Sequence, residues 1–397
     1  MSEWQECKLG DVAIISGGKR LPKGKMLTLI PTRHPYIRIT DFSGHKILLN
    51  DIQYVDDEIQ NTISRYIVNS DDLIISIVGT LGLCAIVPKE LDKANLTENC
   101  AKIQIKENAA DKLFLYYKLI SKDTQDLISG FDVGSTQPKL PLYNIQTIDI
   151  LLPPLPEQRA IAAVLSNLDD KIDLLNRQNK TLGGLAATLW RKMFIQDADP
   201  NWEVINFEDF FDFLEGPGIR NWQYTLTGTR FINIRLINNG EIDTSKASFV
   251  SNEEANTKYE HFLLKEDDMI VSTSGTLGKT AIVRDYHLPL MLNTSVIRFR
   301  PKDGISHAFL YQYLNSAQFQ NHLEAVATGS VQSNFGPVHL KQMKLNRPPE
   351  NILQNYLNKA DNFYKKIKLN SLQIRTLSIL RDGLLPKLMS GEVRVKV

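Results

Sequence analysis

Two stretches of the chain, 157–194 and 351–389, place apolar residues every seven positions and contain no proline until Pro386. In the first, Ile161, Leu168, Leu175, Leu182 and Leu189 form one row, beside Leu165, Ile172, Asn179, Ala186 and Met193. In the second, the rows are Ala360, Ile367, Ile374, Arg381 and Leu388, and Tyr356, Phe363, Asn370, Leu377 and Leu384. This period holds both rows on one helix face, so each stretch is predicted to be a long helix with a coiled-coil seam. Each seam has an asparagine near its middle, a residue that costs stability there but fixes register. If the helices run antiparallel, aligning Asn179 with Asn370 brings every other seam residue opposite a seam residue. Ala186 then meets Phe363, Leu189 meets Ala360 and Leu165 meets Leu384, while Arg381 falls opposite Leu168, within reach of Asp169 or Asp170. The expectation is an intramolecular antiparallel coiled coil; the alternative is two separate amphipathic helices on two cores. Gly183 and Gly184 lie off the seam, weaken the first helix by about 1 kcal/mol each, and mark a kink or a close contact.

Outside these stretches the pattern belongs to short strands, and it occurs twice. Residues 72–87, DLIISIVGTLGLCAIV, recur at 268–283 as DMIVSTSGTLGKTAIV, with ten of sixteen positions identical. The correspondence continues: Phe114-Leu115-Tyr116 answers Phe309-Leu310-Tyr311, Gly134-Ser135-Thr136-Gln137 answers Gly329-Ser330-Val331-Gln332, and Pro153-Pro154 answers Pro348-Pro349. Each half starts near a tryptophan, Trp4 or Trp202. Within each copy, strands at Asp72–Val78 and Ala85–Val87 flank a Gly-Thr-Leu-Gly turn. A helix is predicted around 111–128 and 306–326, then a glycine loop and a final strand (145–152 and 338–345) that stops at the proline pair. The fold class is α+β: two similar domains separated by two long helices, with pseudo-two-fold symmetry. From Ile161 to Met193 the seam covers 32 rises, about 48 Å at ~1.5 Å each, so the expected object is a spacer with two heads.

Composition narrows the class. At 397 residues, 43% hydrophobic and 23% charged, two soluble domains of ordinary size are expected. No apolar run approaches the roughly 18 residues of a membrane span, and MSEWQECKLG lacks the pattern of a signal peptide, so the expected location is cytoplasmic. Cys7, Cys84 and Cys100 form no Cys-x-x-Cys pair and read as buried free thiols. The net charge of +1 neither favours nor excludes a polyanionic partner, because a local basic patch decides that.

Catalytic patterns are missing: there is no His-Glu-x-x-His, no Gly-x-Ser-x-Gly and no metal-ligand cluster. Gly278-Lys279-Thr280 imitates the end of a phosphate-binding loop, yet Thr273 stands where the first glycine is required and the sister copy has Leu83-Cys84. Its glycines are better read as turn residues. Two heads of one frame fit a bipartite target, since B-DNA readers place equal elements about one helical turn apart or more, ~34 Å. The frame is shared but the tips differ: GGKRLPKGKMLTLIPTRHPY (17–36) has little in common with EGPGIRNWQYTLTGTR (215–230).

The segment 151–194, LLPPLPEQRAIAAVLSNLDDKIDLLNRQNKTLGGLAATLWRKMF, resembles the central conserved region of type I restriction-modification specificity subunits. The paired DDLIISIVGTLG and DDMIVSTSGTLG blocks, the GSTQ and GSVQ loops and the ending LRDGLLPKLMSGEVRV are similar to that family as well. The resemblance covers nearly the whole chain. It implies target-recognition domains at 1–155 and 196–347, with conserved helical regions at 156–195 and 348–397. Each domain would read one half of a bipartite asymmetric sequence in double-stranded DNA. It further implies two methyltransferase subunits carrying S-adenosylmethionine and a translocating endonuclease subunit using ATP and Mg, with no cofactor, metal or catalytic residue in this chain. At the second junction Arg347-Pro348-Pro349-Glu350-Asn351-Ile352 departs from the fuller Pro-Pro-Leu-Pro-Glu-Gln of the first.

Base edges are read by arginine and lysine at guanine and by asparagine and glutamine at adenine. On that ground the candidates in the first domain are Lys19, Arg20, Lys23, Lys25, Arg33 and His34, with Gln137 and Lys139 on the glycine loop. In the second they are Arg220, Asn221, Gln223, Arg230 and Arg235, with Gln332 and Asn334. A solvated basic loop is the competing reading of the first set. At the level of the whole chain, a protein-binding scaffold without DNA specificity competes with a DNA reader.

Overall fold

In the computed structural model, which describes residues 4–396 apart from 132–137, 239, 303 and 329–334, the run Leu73–Ser76 is buried throughout. It lies inside a four-stranded antiparallel sheet, between Cys100–Ile105 and Cys84–Ile86, with Ala13–Gly17 on the outer side of Cys100–Ile105. A short strand apolar on both faces needs cover on both faces. Phe114, Leu115 and Tyr117 supply it on one side, and the core of a smaller sheet supplies it on the other, through Ile37, Leu96 and Val87 around Ile74. That smaller sheet runs Gln53–Tyr54, Pro35–Ile37, Ala94–Leu96, Ile67–Val68.

The second copy repeats this order. Met269–Ser272 sits between Val296–Pro301 and Thr280–Ile282, with Phe211–Glu215 outermost, and a smaller sheet runs Ser248–Val250, Thr229–Phe231, Leu290–Met291. A two-stranded sheet closes each copy, Gln5–Lys8 with Asp149–Leu152 and Glu203–Asn206 with Lys344–Arg347. The chain divides accordingly into Met1–Leu175 with Leu372–Val397, and Asn176–Ser371. Each unit is α+β, and the internal repeat is one of structure as well as sequence.

Two expectations about local structure are corrected. The helix anticipated at 111–128 is two helices, Lys112–Ile120 and Lys122–Gly130, and that at 306–326 is His307–Leu314 and Ala317–Thr328. The breaks fall at serines: Ser121 is extended and bonds back to the Lys118 carbonyl at 2.7 Å, and Ser316 accepts from the Phe319 amide at 3.2 Å. Serine competes for backbone groups in this way and starts helices better than it continues them. The final strands are also shorter than anticipated, because the short helices Leu142–Gln146 and Pro337–Gln342 come first. Pro141 caps one and Pro337 opens the other, a position where a missing N–H costs nothing.

The two heptad stretches form helices Leu155–Arg191 and Glu350–Ser390, the second running through Pro386. The first ends in a wider π turn, Lys192–Gln196. They run antiparallel within each unit, and the register is the anticipated one. In the second unit Asn370 Nδ2 donates to Asn179 Oδ1 at 2.9 Å and to Gln178 Oε1 at 3.3 Å. Beyond that layer Leu189, Trp190, Phe194, Tyr356 and Ala360 join one core with Phe309, the Phe194 and Tyr356 rings 5.0 Å apart. In the first unit Leu165 and Leu388 are buried in one core with Leu384 packed against it, and Arg381 Nη1 donates to Asp169 Oδ1 at 2.7 Å. Tyr117 Oη donates to the other oxygen of Asp169 at 2.7 Å, tying helix Lys112–Ile120 to the long helix. Gly183 and Gly184 stand in open space within the continuous helix Leu155–Arg191, with no close contact to a Cβ at either position among the described residues.

The two junctions are built with different chemistry. Glu157 accepts from Arg394 through both oxygens, one at 2.6 Å, and from Trp4 Nε1 at 3.3 Å, while the guanidinium lies 5.2 Å over the Trp4 ring. The hydrogen bond from Arg394 holds the Glu157 carboxyl below the usual range. Gln158 accepts from the Asp111 amide at 2.8 Å and donates to the Pro153 carbonyl at 2.6 Å. At the matching positions of the second copy stand Ile352 and Leu353, both packed into the aromatic core. A polar latch in one unit is an apolar plug in the other.

Candidate nucleic-acid interface

Strand register decides which loops share an end of the sheet. Gly17 lies opposite Ala101 and Ser76 opposite Cys100, so the exits of two strands and the start of a third coincide. The same holds for Glu215 opposite Ile297 and Ser272 opposite Val296. The loops leaving this end are the divergent tips (18–34 and 216–228), the Gly-Thr-Leu-Gly turns, and the segments that follow the glycine loops. The last are stitched to the turns by Leu140 N to Ile77 O at 2.8 Å and Phe335 N to Thr273 O at 3.1 Å.

Each tip starts at a glycine for which no other residue has room. A Cβ on Gly18 would stand 2.0 Å from the Thr97 carbonyl oxygen, and one on Gly216 would stand 2.4 Å from the Asn293 nitrogen. The turns are equally constrained. Ser76 Oγ donates to the Thr80 carbonyl at 2.6 Å and accepts from the Leu83 amide at 2.8 Å; Ser272 does the same with Thr276 and Lys279, at 2.6 and 2.9 Å. Gly82 and Gly278 have φ of +80° and +73°. Gln125 and Gln320 bond their carbonyls from the helix below, at 2.9 and 3.3 Å. The duplicated block is therefore a frame. Lys279 Nζ is turned to the Ile237 carbonyl at 3.4 Å and Thr280 Oγ1 donates to Asn315 at 2.7 Å, so neither is arranged to hold a phosphate.

The tips contain no acid of their own. No acidic residue occurs between Asp11 and Asp41 or between Glu215 and Glu241. Lys19, Arg20, Lys23, Lys25 and Arg33 are exposed on the first tip. Their partners come from other segments: Arg20 bonds Glu98 and Lys25 bonds Glu58 at 2.5 and 2.6 Å, Arg33 reaches Asp57 at 3.9 Å, and His34 meets Asp57 at 2.8 Å. Lys19 lies 5.7 Å over the Tyr66 ring. Exposed pairs of this kind contribute little and exchange readily for phosphate. Lys139, exposed and paired with Val78, stands at the same sheet end.

On the second tip Arg220 and Asn221 are exposed, as is Arg235 beyond it. Two further candidates have donors engaged within their own module, and one of them, Gln223, is buried. Gln223 is 4% exposed, its amide donating to Glu254 and Tyr259 at 3.0 Å each and its carbonyl accepting from the Arg220 amide, so it holds the loop in shape. Arg230 is half-buried and donates to Thr244 Oγ1 and to the Leu288 carbonyl at 3.1 Å each. Gln137, Gln332 and Asn334 lie outside the described residues. The residue choice by donor chemistry also passed over the apolar tip residues Met26, Leu29, Ile30 and Leu226, which are exposed. Their signal in the sequence was apolar side chains inside loops rich in Gly, Pro and Thr.

Among the described residues no cluster of His, Cys, Asp and Glu could hold a metal ion. No helix there is long and apolar enough to cross a membrane. Cys84 and Cys100 are buried, and burial raises both thiols, Cys100 to about 12.

The family model described as the type I restriction modification DNA specificity domain matches residues 1–183 and again 200–377. The chain is 24% identical over 416 residues to the type I restriction enzyme MjaVIII specificity subunit of Methanocaldococcus jannaschii, covering 99% of this chain and 94% of that one. It is 21% identical over 471 residues to the HindI specificity subunit of Haemophilus influenzae, covering 99% and 100%. In fold it is similar to the type I restriction-modification S subunit from M. genitalium, with a TM-score of 0.62 at 16% identity over 97% of this chain and 96% of that one. With both halves matched by one model, as the repeated frame requires, the chain belongs to the type I restriction-modification DNA specificity family.

Proposed function

We propose that this chain is the DNA sequence-recognition subunit of a type I restriction-modification system, with one half of a bipartite asymmetric site read by each domain. The observation that carries this reading is the repeated frame with unlike, acid-free tips at the same sheet end in both copies. Phosphate contacts from the basic tips supply affinity and base contacts supply specificity. The recognition domains are 1–155 and 196–347, and the helical regions 156–195 and 348–397 act as spacer and docking surface. Exposed apolar side chains on those helices, among them Leu174, Leu185, Leu369, Leu372 and Ile379, suit association with two methyltransferase subunits. The chain itself is non-catalytic and cytoplasmic; S-adenosylmethionine, ATP and Mg belong to the methyltransferase and endonuclease subunits.

The test is selection from a random duplex library by the chain assembled with its methyltransferase partner. One bipartite sequence is expected to be enriched, and replacing residues 1–155 by those of a relative is expected to change one half alone. No enrichment would leave a protein-binding scaffold; a change in both halves would refute independent domains.

A further inference from the structure

Among the described residues, the large apolar side chains exposed by 70% or more are Leu226, Met26, Trp222, Ile30 and Leu29, and all lie on the two tips. Next in exposure come Val338 at 67% and Tyr143 at 66%, which occupy equivalent positions in the two copies at an offset of 195. They sit on the short helices packed against the strands that lead into the tips. Scattered exposed apolar residues need no explanation, but concentration on the matched loops of two unlike sequences does.

A patch that docked one shared protein partner would use the same residues in both copies. The tips share none: Met26, Leu29 and Ile30 on one, Trp222, Tyr224 and Leu226 on the other. The tips contribute cations and no acid of their own, and the carboxylates that pair with the first tip from neighbouring segments exchange readily for phosphate, which suits the tips to a polyanion. On nucleic acid, the apolar feature of a base edge in the major groove is the thymine methyl, which apolar side chains recognise by contact. Each tip exposes three such side chains within five residues, more than the single wedge that inserts between base pairs.

Resting on the function proposed above, we infer that the apolar tips determine specificity by packing on thymine methyl groups, one set in each half-site. The basic residues beside them bind phosphate, and the bases are distinguished in part by hydrocarbon contact.

The experiment uses the full chain with its methyltransferase partner and the duplex that it selects. Deoxyuridine replaces thymine position by position, removing only the methyl. Binding is expected to weaken about fourfold for each contacted methyl, the equivalent of ~0.8 kcal/mol at 1.4 kcal/mol per tenfold. Trp222→Ala with Leu226→Ala should abolish that sensitivity in one half, and Met26→Ala with Leu29→Ala and Ile30→Ala in the other. The salt dependence of binding and the melting temperature should stay unchanged in both variants. A half-site without thymine, or indifference to every deoxyuridine, overturns the inference. So does brightening of 2-aminopurine at a base step without a deoxyuridine effect, or lost partner assembly with base preference intact. Failure of the wild type to select any sequence is a different result and strikes the proposed function itself.

Discussion

Asn179→Leu alone is expected to harm the second unit more than Asn179→Leu and Asn370→Leu together. Asn370 is 1% exposed; its Nδ2 has two acceptors, Asn179 at 2.9 Å and Gln178 at 3.3 Å, and its Oδ1 has no donor among the described residues. A buried acceptor without a partner costs about 1–3 kcal/mol, and the native layer already carries that cost. Removing Asn179 adds a weakened donor to it, a further ~1–2 kcal/mol. Removing both side chains deletes one hydrogen bond of net value near 1 kcal/mol, deletes the unmet acceptor, and adds two isobutyl groups at the seam. The double variant is therefore expected between neutral and ~2 kcal/mol more stable than the wild type, which makes the coupling strongly non-additive. Urea denaturation of the full chain and its two single and one double variants measures the cycle. The same double variant should lose register, read as oxidation of a cysteine at Ala186 with one at Tyr356 as well as at Phe363, its seam neighbour. Additivity within about 0.5 kcal/mol, or a double variant more than ~1 kcal/mol less stable than the wild type, refutes the reasoning.

Gly278→Ala forces a Cβ to 2.1 Å from Gln320 Oε1 at a φ of +73°, and should destabilise by roughly 1–3 kcal/mol in a melting experiment. Lys279→Ala should leave ATP without effect on melting, in the variant and in the wild type alike. The Glu157 carboxyl, held down by Arg394, contributes stability that is present above the ordinary Glu value of about 4.3 and lost as pH falls through its lower folded value. Glu157→Gln should accordingly flatten the acid limb of the pH–stability curve below about pH 4.3; an unchanged limb would refute the latch. Gln223→Ala should cost about 2 kcal/mol of stability through the stranded Glu254 and Tyr259. Arg235→Ala should leave stability intact and reduce the slope of log affinity against log salt by about 1 if it meets a phosphate.

Periodicity made the long helices and their register legible, because each seam has ten positions and only Asn179 in the first, and Asn370 and Arg381 in the second, depart from the apolar rule. That register alone placed Arg381 within reach of Asp169 or Asp170, and the partner is Asp169. Local chemistry without a period was harder to read. Nothing in a sequence separates Gln223 from Asn221, since the groups that bury Gln223 lie at 254 and 259. Ser121 reads as a tolerable helix residue until its hydroxyl is seen on the Lys118 carbonyl. The Glu157 latch draws its partner from 237 residues away. The apolar tips were passed over for the opposite reason: a hydrophobic residue is expected inside, and only exposure reveals otherwise.

The glycine-anchored frame also bears on how such a chain changes over generations. Folding is secured by Gly18, Ser76, Gln125 and their second copies, none of which occupies the exposed part of a tip. A residue such as Leu226, 95% open to solvent, can be replaced at almost no cost to the native state, so a lineage can wander among tip sequences without passing through unfolded ancestors. Because the second copy keeps its own tip, a mutation in one leaves half of the old preference standing while the other half is tried anew.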